Sequence, residues 1–582
     1  MSRLQEYWGV GPKTAALLRE SVGASEAVEA IESADVRTLT EAGLSGGRAT
    51  RIVRRAHGDA GLDLLATSDA RDVYKSILDH AATFAVTRHA ADRIRVRTPL
   101  SDREVARERV AEVIAARESW AAMDESTRAA VVDAFETYDG TAGERAAVEA
   151  ALVLAAAGAT EGVFEPLGDL NRETLRSAAE ALGGLDGEDV RDSVDDRLDA
   201  LREQYAAVDR LSTTPGEIVA DLGRGDPEAL ESAFVRRVTD ETGVETARVR
   251  AATPTDARDA ADFVRGTLRT LVDDLAAAVA ERETEVRGRL RDAVGEAREE
   301  VDAAVGAVDD AAVHVSLARF AETYDLRAPE YADEPGVAVV EGRNLDLAAA
   351  GEAVQPVTYA VGDVGVEASV SPRPPTARVA VLTGANSGGK TTLLETLCQV
   401  VLLASMGLPV PAKRATVGRL DAVVFHRRHA SFNAGVLEST LSNVVPPLTR
   451  RERTLMLVDE FEAITEPGRA ADLLHGLVGL TVERDALGVF VTHLADDLEP
   501  LPEAARTDGI FAQGLGPDLE LRVDYQPRFD TVGRSTPEFI VSRLLADAED
   551  APERVGYEAL AEAVGESAVQ RTLADARWAD GS

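Results

Sequence analysis

The stretch VAVLTGANSGGKTT, Val379 to Thr392, decides how the rest of this 582-residue chain is read. A short apolar run meets a glycine-rich turn, with Gly384, four residues, then Gly389, Lys390, Thr391 and Thr392. That is Walker A spacing. Glycines permit a turn that larger side chains would block, so several backbone N–H groups point into one concavity where a phosphate fits. Gly384, Ala385, Asn386, Ser387, Gly388 and Gly389 form the expected cradle. Lys390 is expected to reach the β- and γ-phosphates of ATP, and the Thr391 hydroxyl to hold Mg2+. Beyond Thr392, the residues Leu393, Leu394, Leu397, Val400 and Val401 predict a helix whose positive N-terminal end faces the same anion. A plain Gly-rich turn joining a strand to a helix is the alternative.

Some seventy residues downstream comes TLMLVDEFEAIT, 454–465. Leu455 to Val458 read as a buried strand with Asp459 and Glu460 at its carboxyl end, where a doubly wound parallel sheet places its ligands. In that reading Asp459 binds Mg2+ through water, and Glu460 orients or deprotonates the attacking water. Two acids that merely cap a helix are the alternative. A further strand, Leu487 to Val491, ends in Thr492 and His493. A polar side chain there can sense a γ-phosphate; a lone structural histidine is the competing reading.

The chain is too long for one core, so three or four domains are expected. Its net charge is −39, and its basic residues are four lysines against fifty-nine arginines. Surplus Asp and Glu with Lys nearly absent looks like adaptation to a salt-rich cytoplasm, so the acidity describes the habitat more than the partner. Cys398 is the only cysteine, which excludes an intrachain disulfide. Without a basic-then-apolar leader or a run approaching eighteen apolar residues, a cytoplasmic, non-membrane protein is expected.

Residues 1 to about 57 read as two helical hairpins. Gly9, Val10 and Gly11 form a tight turn before Lys13, and Gly43, Leu44, Ser45, Gly46 and Gly47 do the same before Arg48. This resembles tandem helix-hairpin-helix modules, whose turn N–H groups and helix starts meet DNA phosphates without reading sequence. The segment holds eight Lys or Arg against seven Asp or Glu, in a chain otherwise deeply negative. Sparing it from acidification suggests an anionic partner. Protein-contacting hairpins or a packing cap are the alternative. From 61 to about 328 the pattern is overwhelmingly helical, with a relatively basic stretch at 88–117. Gly216 to Thr253 is expected to be a small non-helical tip. Thr255 to Ala328 is expected to be one long helix or an antiparallel pair. From Val313 onward β-type alternation appears, with a boundary near 330.

The order TGANSGGKTT, GLPVPA, ASFN followed by Glu438, LMLVDEFEAIT and FVTHL resembles the ATPase domain of the MutS family, a branch of the ABC-type ATPases. The likeness covers roughly 310 to 540. It implies that Gly384, Asn386, Gly389, Lys390 and Thr391 bind nucleotide and Mg2+, that Asp459 and Glu460 serve metal and water, and that His493 is a switch histidine. Ser431 would correspond to the signature-loop serine that reaches a γ-phosphate across a homodimer, although the spacing from Phe432 to Glu438 departs from mismatch-repair MutS. The segment DYQPRFDTVGRSTPEFIVSRLL resembles the dimerisation end.

Helix-hairpin-helix modules stand where a mismatch-reading domain would be, and no wedge of Phe beside Glu is found. The chain therefore resembles second-type MutS in an archaeal form, without a recognisable C-terminal Smr nuclease domain. The resulting expectation is an α/β P-loop (ABC-type) ATPase domain, 330–545, joined to an all-α lever and clamp region, 61–329. A helix-hairpin-helix domain precedes it at 1–60, and a helical tail follows at 546–582. Function is expected to be ATP-dependent, largely sequence-independent DNA binding in repair or recombination control by a homodimer, with no evident nuclease. A ribosome- or RNA-associated ATPase is the alternative, and a structural factor in which ATP merely fixes dimerisation is a third reading.

Overall fold

The computed structural model describes residues 4, 7, 9–33, 35–138, 143–187, 189–222, 226–364, 376–384, 389–428, 434–450, 453–461, 467–515, 521–533, 537–548, 550–565 and 569–573. The chain forms two compact units, one of residues 1–140, 161–163 and 309–582, the other of 141–160 and 164–308. It is a mixed α/β protein of large helical content.

In the first unit, the N-terminal helices are Pro12–Ser21, Ala24–Glu32, Val36–Glu41 and Gly46–Leu62. They close around their own apolar core of Leu18, Ile31, Leu39, Ile52 and Val53, with Val96 packed in from the helices that follow. Gly9 and Gly43 sit in the tight turns with φ of +80° and +98°. Asp35 caps one helix by accepting from the N–H groups of Arg37 and Thr38.

The strands of the second unit are the two-residue pair β1 (Leu185–Asp186) and β2 (Asp189–Val190). Those of the first unit are β3 (Glu330–Tyr331), β4 (Gly336–Gly342), β5 (Val357–Gly362), β6 (Val379–Gly384), β7 (Arg414–Val417), β8 (Ala422–His426), β9 (Thr454–Asp459), β10 (Leu487–Val491), β11 (Ala505–Leu515) and β12 (Leu521–Arg528). A four-stranded sheet runs β3-β7-β4-β5, and a six-stranded sheet runs β12-β11-β6-β10-β9-β8. In the larger sheet β11, β6, β10, β9 and β8 are parallel and β12 is an antiparallel edge. β6, β9 and β10 are buried along their whole length, as apolar runs covered on both faces should be. Helices Ala434–Arg450 and Pro467–Glu483 contribute Val444, Leu448, Leu474 and Val478 to the core over this sheet.

The outer edge of β8 is covered by residues 64–69. Leu65 bridges Val423 in parallel, the Thr67 hydroxyl donates to the Phe425 carbonyl at 2.7 Å, and the Arg427 N–H donates to Asp69 at 2.8 Å. An exposed edge is thereby closed, and the segment leading out of the N-terminal helices is tied to the sheet.

The second unit is helical apart from β1 and β2 among the described residues. Its core includes Phe234, Val238, Val249, Leu268, Leu271 and Leu275. The region 216–253, expected as a non-helical tip, is instead helical: Pro215–Leu222, Pro227–Thr242 and Thr246–Ala251. Pro215 and Pro227 open helices, where a missing N–H costs nothing. The long apolar repeat resolves into Ala260–Glu296 and Arg298–Thr323, parted by Ala297. The second of these helices also overturns the β reading of Val313 onward. Val313, Val315 and Leu317 alternate, but Ala312, Ser316, Ala318 and Phe320 between and beyond them are buried too, so a helix buried nearly all round imitates a strand. β3 begins only at Glu330.

Candidate functional site

Parallel register brings the Walker residues to one end of the larger sheet. Val491 at the end of β10 lies opposite both Leu382 of β6 and Asp459 of β9. The ladder continues past the strand ends, with the Glu460 N–H donating to the Val491 carbonyl and the Thr492 N–H to the Leu382 carbonyl, at 3.0 and 3.1 Å. Gly384, Asp459, Glu460 and His493, from three separated parts of the sequence, therefore share one edge.

Gly384 and the helix Gly389–Ser405 flank the expected phosphate cradle. Gly384 has φ +131°, and a Cβ there would lie 2.1 Å from the Ile510 carbonyl oxygen. A Cβ at Gly389 would meet the Tyr525 ring at 2.3 Å. Neither position admits another residue without backbone or ring displacement. Ala385, Asn386, Ser387 and Gly388 lie outside the described residues, as does Ser431.

Lys390 is buried, and its Nζ donates to the Gly384 carbonyl at 2.9 Å. The Thr391 hydroxyl donates to Asp459 Oδ2 at 2.7 Å. The Thr392 carbonyl accepts from the Thr396 hydroxyl at 2.7 Å, a bond within the helix's first turns. Asp459 is 2% exposed and its Oδ1 has no hydrogen-bond partner among the described residues. Burial pushes its carboxyl above the ordinary range, helped by the neighbouring Glu460 and opposed by the Thr391 hydroxyl and Lys390.

A hydroxyl beside a buried carboxylate with one orphaned oxygen fits a hard cation that keeps water and phosphate oxygens as its remaining ligands. Among the described residues no group of three or more His, Cys, Asp or Glu could hold a metal by protein side chains alone. The donor set is thus suited to a cation that arrives with phosphate.

Glu460 is held at both oxygens. His493 Nε2 lies 3.0 Å from Oε1, and Arg428 Nη1 lies 2.7 Å from Oε2. Its backbone is in the left-handed region at φ +42°, unusual for a non-glycine residue and here located at a strand end beside a functional candidate. Arg428 was not singled out by sequence reasoning. The available signal was the doubled arginine in HRRH, 426–429, just before the ASFN stretch.

The hairpin residues behave differently. Arg48 is exposed but already bonded: its guanidinium donates to the Thr14 hydroxyl at 2.6 Å and to the Gly9 carbonyl at 3.3 Å, joining the two hairpin turns. Lys13 is exposed. Nothing lies within 4 Å of a Cβ built at Gly11, Gly46 or Gly47. No crowding among the described residues explains glycine at these three positions.

No family model matches the chain. Over 228 residues, 38% of each chain, it is 46% identical to a "DNA-binding protein MutS2" of Pyrococcus furiosus. Over 212 residues, 35% of this chain and 26% of the relative, it is 29% identical to an "Endonuclease MutS2" of Thermomicrobium roseum. The chain thus spans well under half the length of these relatives, and the likeness supports a MutS2-type relationship over the part it covers.

Proposed function

We propose that the chain is an ATP-dependent DNA-binding protein of MutS2 type that hydrolyses ATP with Mg2+. The observation carrying this reading is the convergence of Lys390, Thr391, Asp459, Glu460 and His493 on one strand-end edge beside two positions that admit only glycine. Gly384, Ala385, Asn386, Ser387, Gly388 and Gly389 supply the phosphate cradle, and Lys390 leaves the Gly384 carbonyl for phosphate oxygens. Thr391 and Asp459 would hold Mg2+, which when bound neutralises charge on the phosphates. Glu460 takes the water proton, and His493 orients Glu460. Arg428 competes for the same carboxylate, and Glu460 is free to act as base once that ion pair is given up. Ser431 is assigned to the γ-phosphate bound across a homodimer.

DNA contact is assigned to the N-terminal hairpins through Gly9, Gly11, Lys13, Gly46 and Gly47, with Arg48 bracing the turns. Glycines unexplained by internal packing support a backbone that comes close to phosphate. Such contacts are largely independent of base sequence. The name of the Pyrococcus furiosus relative is in keeping with DNA as partner. Repair or recombination control is the setting this chemistry suits.

The test is Glu460→Gln in the full chain. It should retain Mg-ATP with near wild-type affinity while phosphate release falls by about 10²–10⁴-fold. Unchanged turnover would remove Glu460 as the base; failure of the wild-type chain to bind Mg-ATP would sink the whole reading.

A further inference from the structure

Away from the strand ends, the first unit has a cleft of about 540 Å³ between the helices Gly46–Leu62 and Ser68–Ala82 and the C-terminal end of Ala434–Arg450. Among the described residues, six cations line it, Arg51, Arg54, Arg55, Arg71, Lys75 and Arg450, and two carboxylates, Asp63 and Asp72, join them. The chain as a whole has 102 acidic residues against 63 basic, so this is a reversal of its general charge in one place.

Arg71 and Lys75 are four residues apart on the helix Ser68–Ala82, spacing at which like charges repel weakly. Arg51, Arg71, Lys75 and Arg450 are exposed, and among the described residues their charged ends have no hydrogen-bond or ion-pair partner. Elsewhere in the chain arginines commonly meet carboxylates, as Arg282 meets Asp195 at 2.7 Å. Arg54 differs from the exposed four: its Nε and Nη2 donate to the Arg95 carbonyl at 2.8 and 2.6 Å, and it lies over the Tyr74 ring, fixing one wall. Pro446 and Pro447 line the opposite wall. The pairing of residues 64–69 with β8 ties the helices Gly46–Leu62 and Ser68–Ala82 to the sheet edge, so the cleft is a built feature of one unit.

We propose that this cleft binds the sugar-phosphate backbone of a nucleic acid, as a second contact continuous with the helix whose first turn carries Gly46 and Gly47. The inference rests on the DNA-binding reading above. Exposed guanidinium and ammonium groups on facing helices suit a chain of phosphates whose solvent and counterions are displaced. Arg54, already bonded, shapes the wall, while Arg51, Arg71, Lys75 and Arg450 make the contacts.

The experiment compares the full wild-type chain, the variant Arg71→Gln/Lys75→Gln/Arg450→Gln, and the control Arg484→Gln/Arg543→Gln/Arg554→Gln, which changes net charge equally at other exposed sites of the same unit. Binding to a plain duplex is followed by fluorescence anisotropy over a series of KCl concentrations, with thermal unfolding as the check on folding. The cleft variant should keep its unfolding temperature yet lose roughly ten- to hundredfold in affinity at ~0.2 M salt, its log–log salt slope falling by about 0.9 per contact. The control should bind like wild type. Wild-type affinity and slope in the cleft variant would overturn the cleft while leaving the DNA-binding reading intact; equal losses in both variants would reduce the effect to net charge and overturn it too. A wild-type chain that does not bind duplex would overturn both readings. Inorganic tripolyphosphate serves as the second probe: loss of its binding with duplex affinity unchanged would make the ligand a free polyphosphate and overturn the proposal. Should the triple variant unfold early, Lys75→Gln alone is measured, with an expected slope change of about 0.9; an unchanged slope overturns the proposal.

Discussion

The strand-end edge and the basic cleft handle charge in opposite ways. At the edge, Asp459 is buried beside Thr391, Glu460 is gripped by Arg428 and His493, and Lys390 is bonded to the Gly384 carbonyl. At the cleft, Arg51, Arg71, Lys75 and Arg450 stand exposed and without ion-pair partners among the described residues. A mutually bonded set centred on the buried Asp459 and Lys390 is preorganised and screened less by salt than an exposed, like-charged set, which is loose and strongly screened. Geometry is thus concentrated where chemistry would occur, and attraction is concentrated where a long polyanion would lie.

The largest expected effect breaks the edge. On the proposed function, Lys390→Ala should lower ATP turnover by about 10²–10³-fold or more, measured as steady-state phosphate release, because the buried ammonium assigned to the phosphates is lost. Turnover within a few-fold of wild type would dissolve the distinction between edge and cleft.

Next, Gly46→Ala/Gly47→Ala probes whether exposed contacts extend from the cleft to the hairpin. Added methyl groups meet nothing within 4 Å among the described residues, so each should stabilise the helix by up to roughly 0.5–1 kcal/mol while duplex affinity falls several-fold. Higher stability with unchanged affinity would confine DNA contact to other residues.

A smaller effect comes from releasing the edge's own restraint. Arg428 is more than half exposed while Glu460 is largely covered, so the ion pair holds Glu460 by roughly 0.2–1 kcal/mol. Arg428→Ala should then raise DNA-free turnover by roughly 1.5–5-fold, a few tenths of a kcal/mol to about 1 kcal/mol in barrier. A fall in turnover would make Arg428 a helper of the reaction instead of a restraint on Glu460.

The subtlest test is pH dependence. Burial raises the Asp459 carboxyl above its ordinary range, so the folded chain binds that proton more tightly than the unfolded chain. The resulting stability is complete below the unfolded value and lost as pH rises through the folded value. Asp459→Asn, thermally unfolded with chelator and no nucleotide, should gain little over wild type in acid and progressively more toward neutral pH. An advantage independent of pH would mean that the carboxyl is not strained by burial.

Much of the edge was legible because its motifs are local. Gly384, Gly389 and Lys390 announce themselves by spacing, and Asp459 and Glu460 by following an apolar strand. Arg428 was not legible as a partner of Glu460, since thirty-two residues and a whole strand separate them. At 313–323 the helical repeat expected for Thr255 to Ala328 holds and the β-type alternation from Val313 does not, because burial on every side blurs the amphipathic period that distinguishes helix from strand. Pro215 and Pro227 misled for a related reason: proline breaks a helix in its interior but starts one at its first turn.

The sequence by itself determined the glycine-rich Walker A spacing, the parallel apolar strands, the glycine turns near the N-terminus and the acidic character of the whole, all of which depend on residues close together in the chain. Only the tertiary structure decided which distant groups meet: Arg428 with Glu460, residues 64–69 with the edge of β8, and the cations of three separate helices in one cleft. The reason is physical. Turn geometry and side-chain periodicity are short-range, whereas strand register and helix packing set long-range proximity through the burial of many apolar side chains at once.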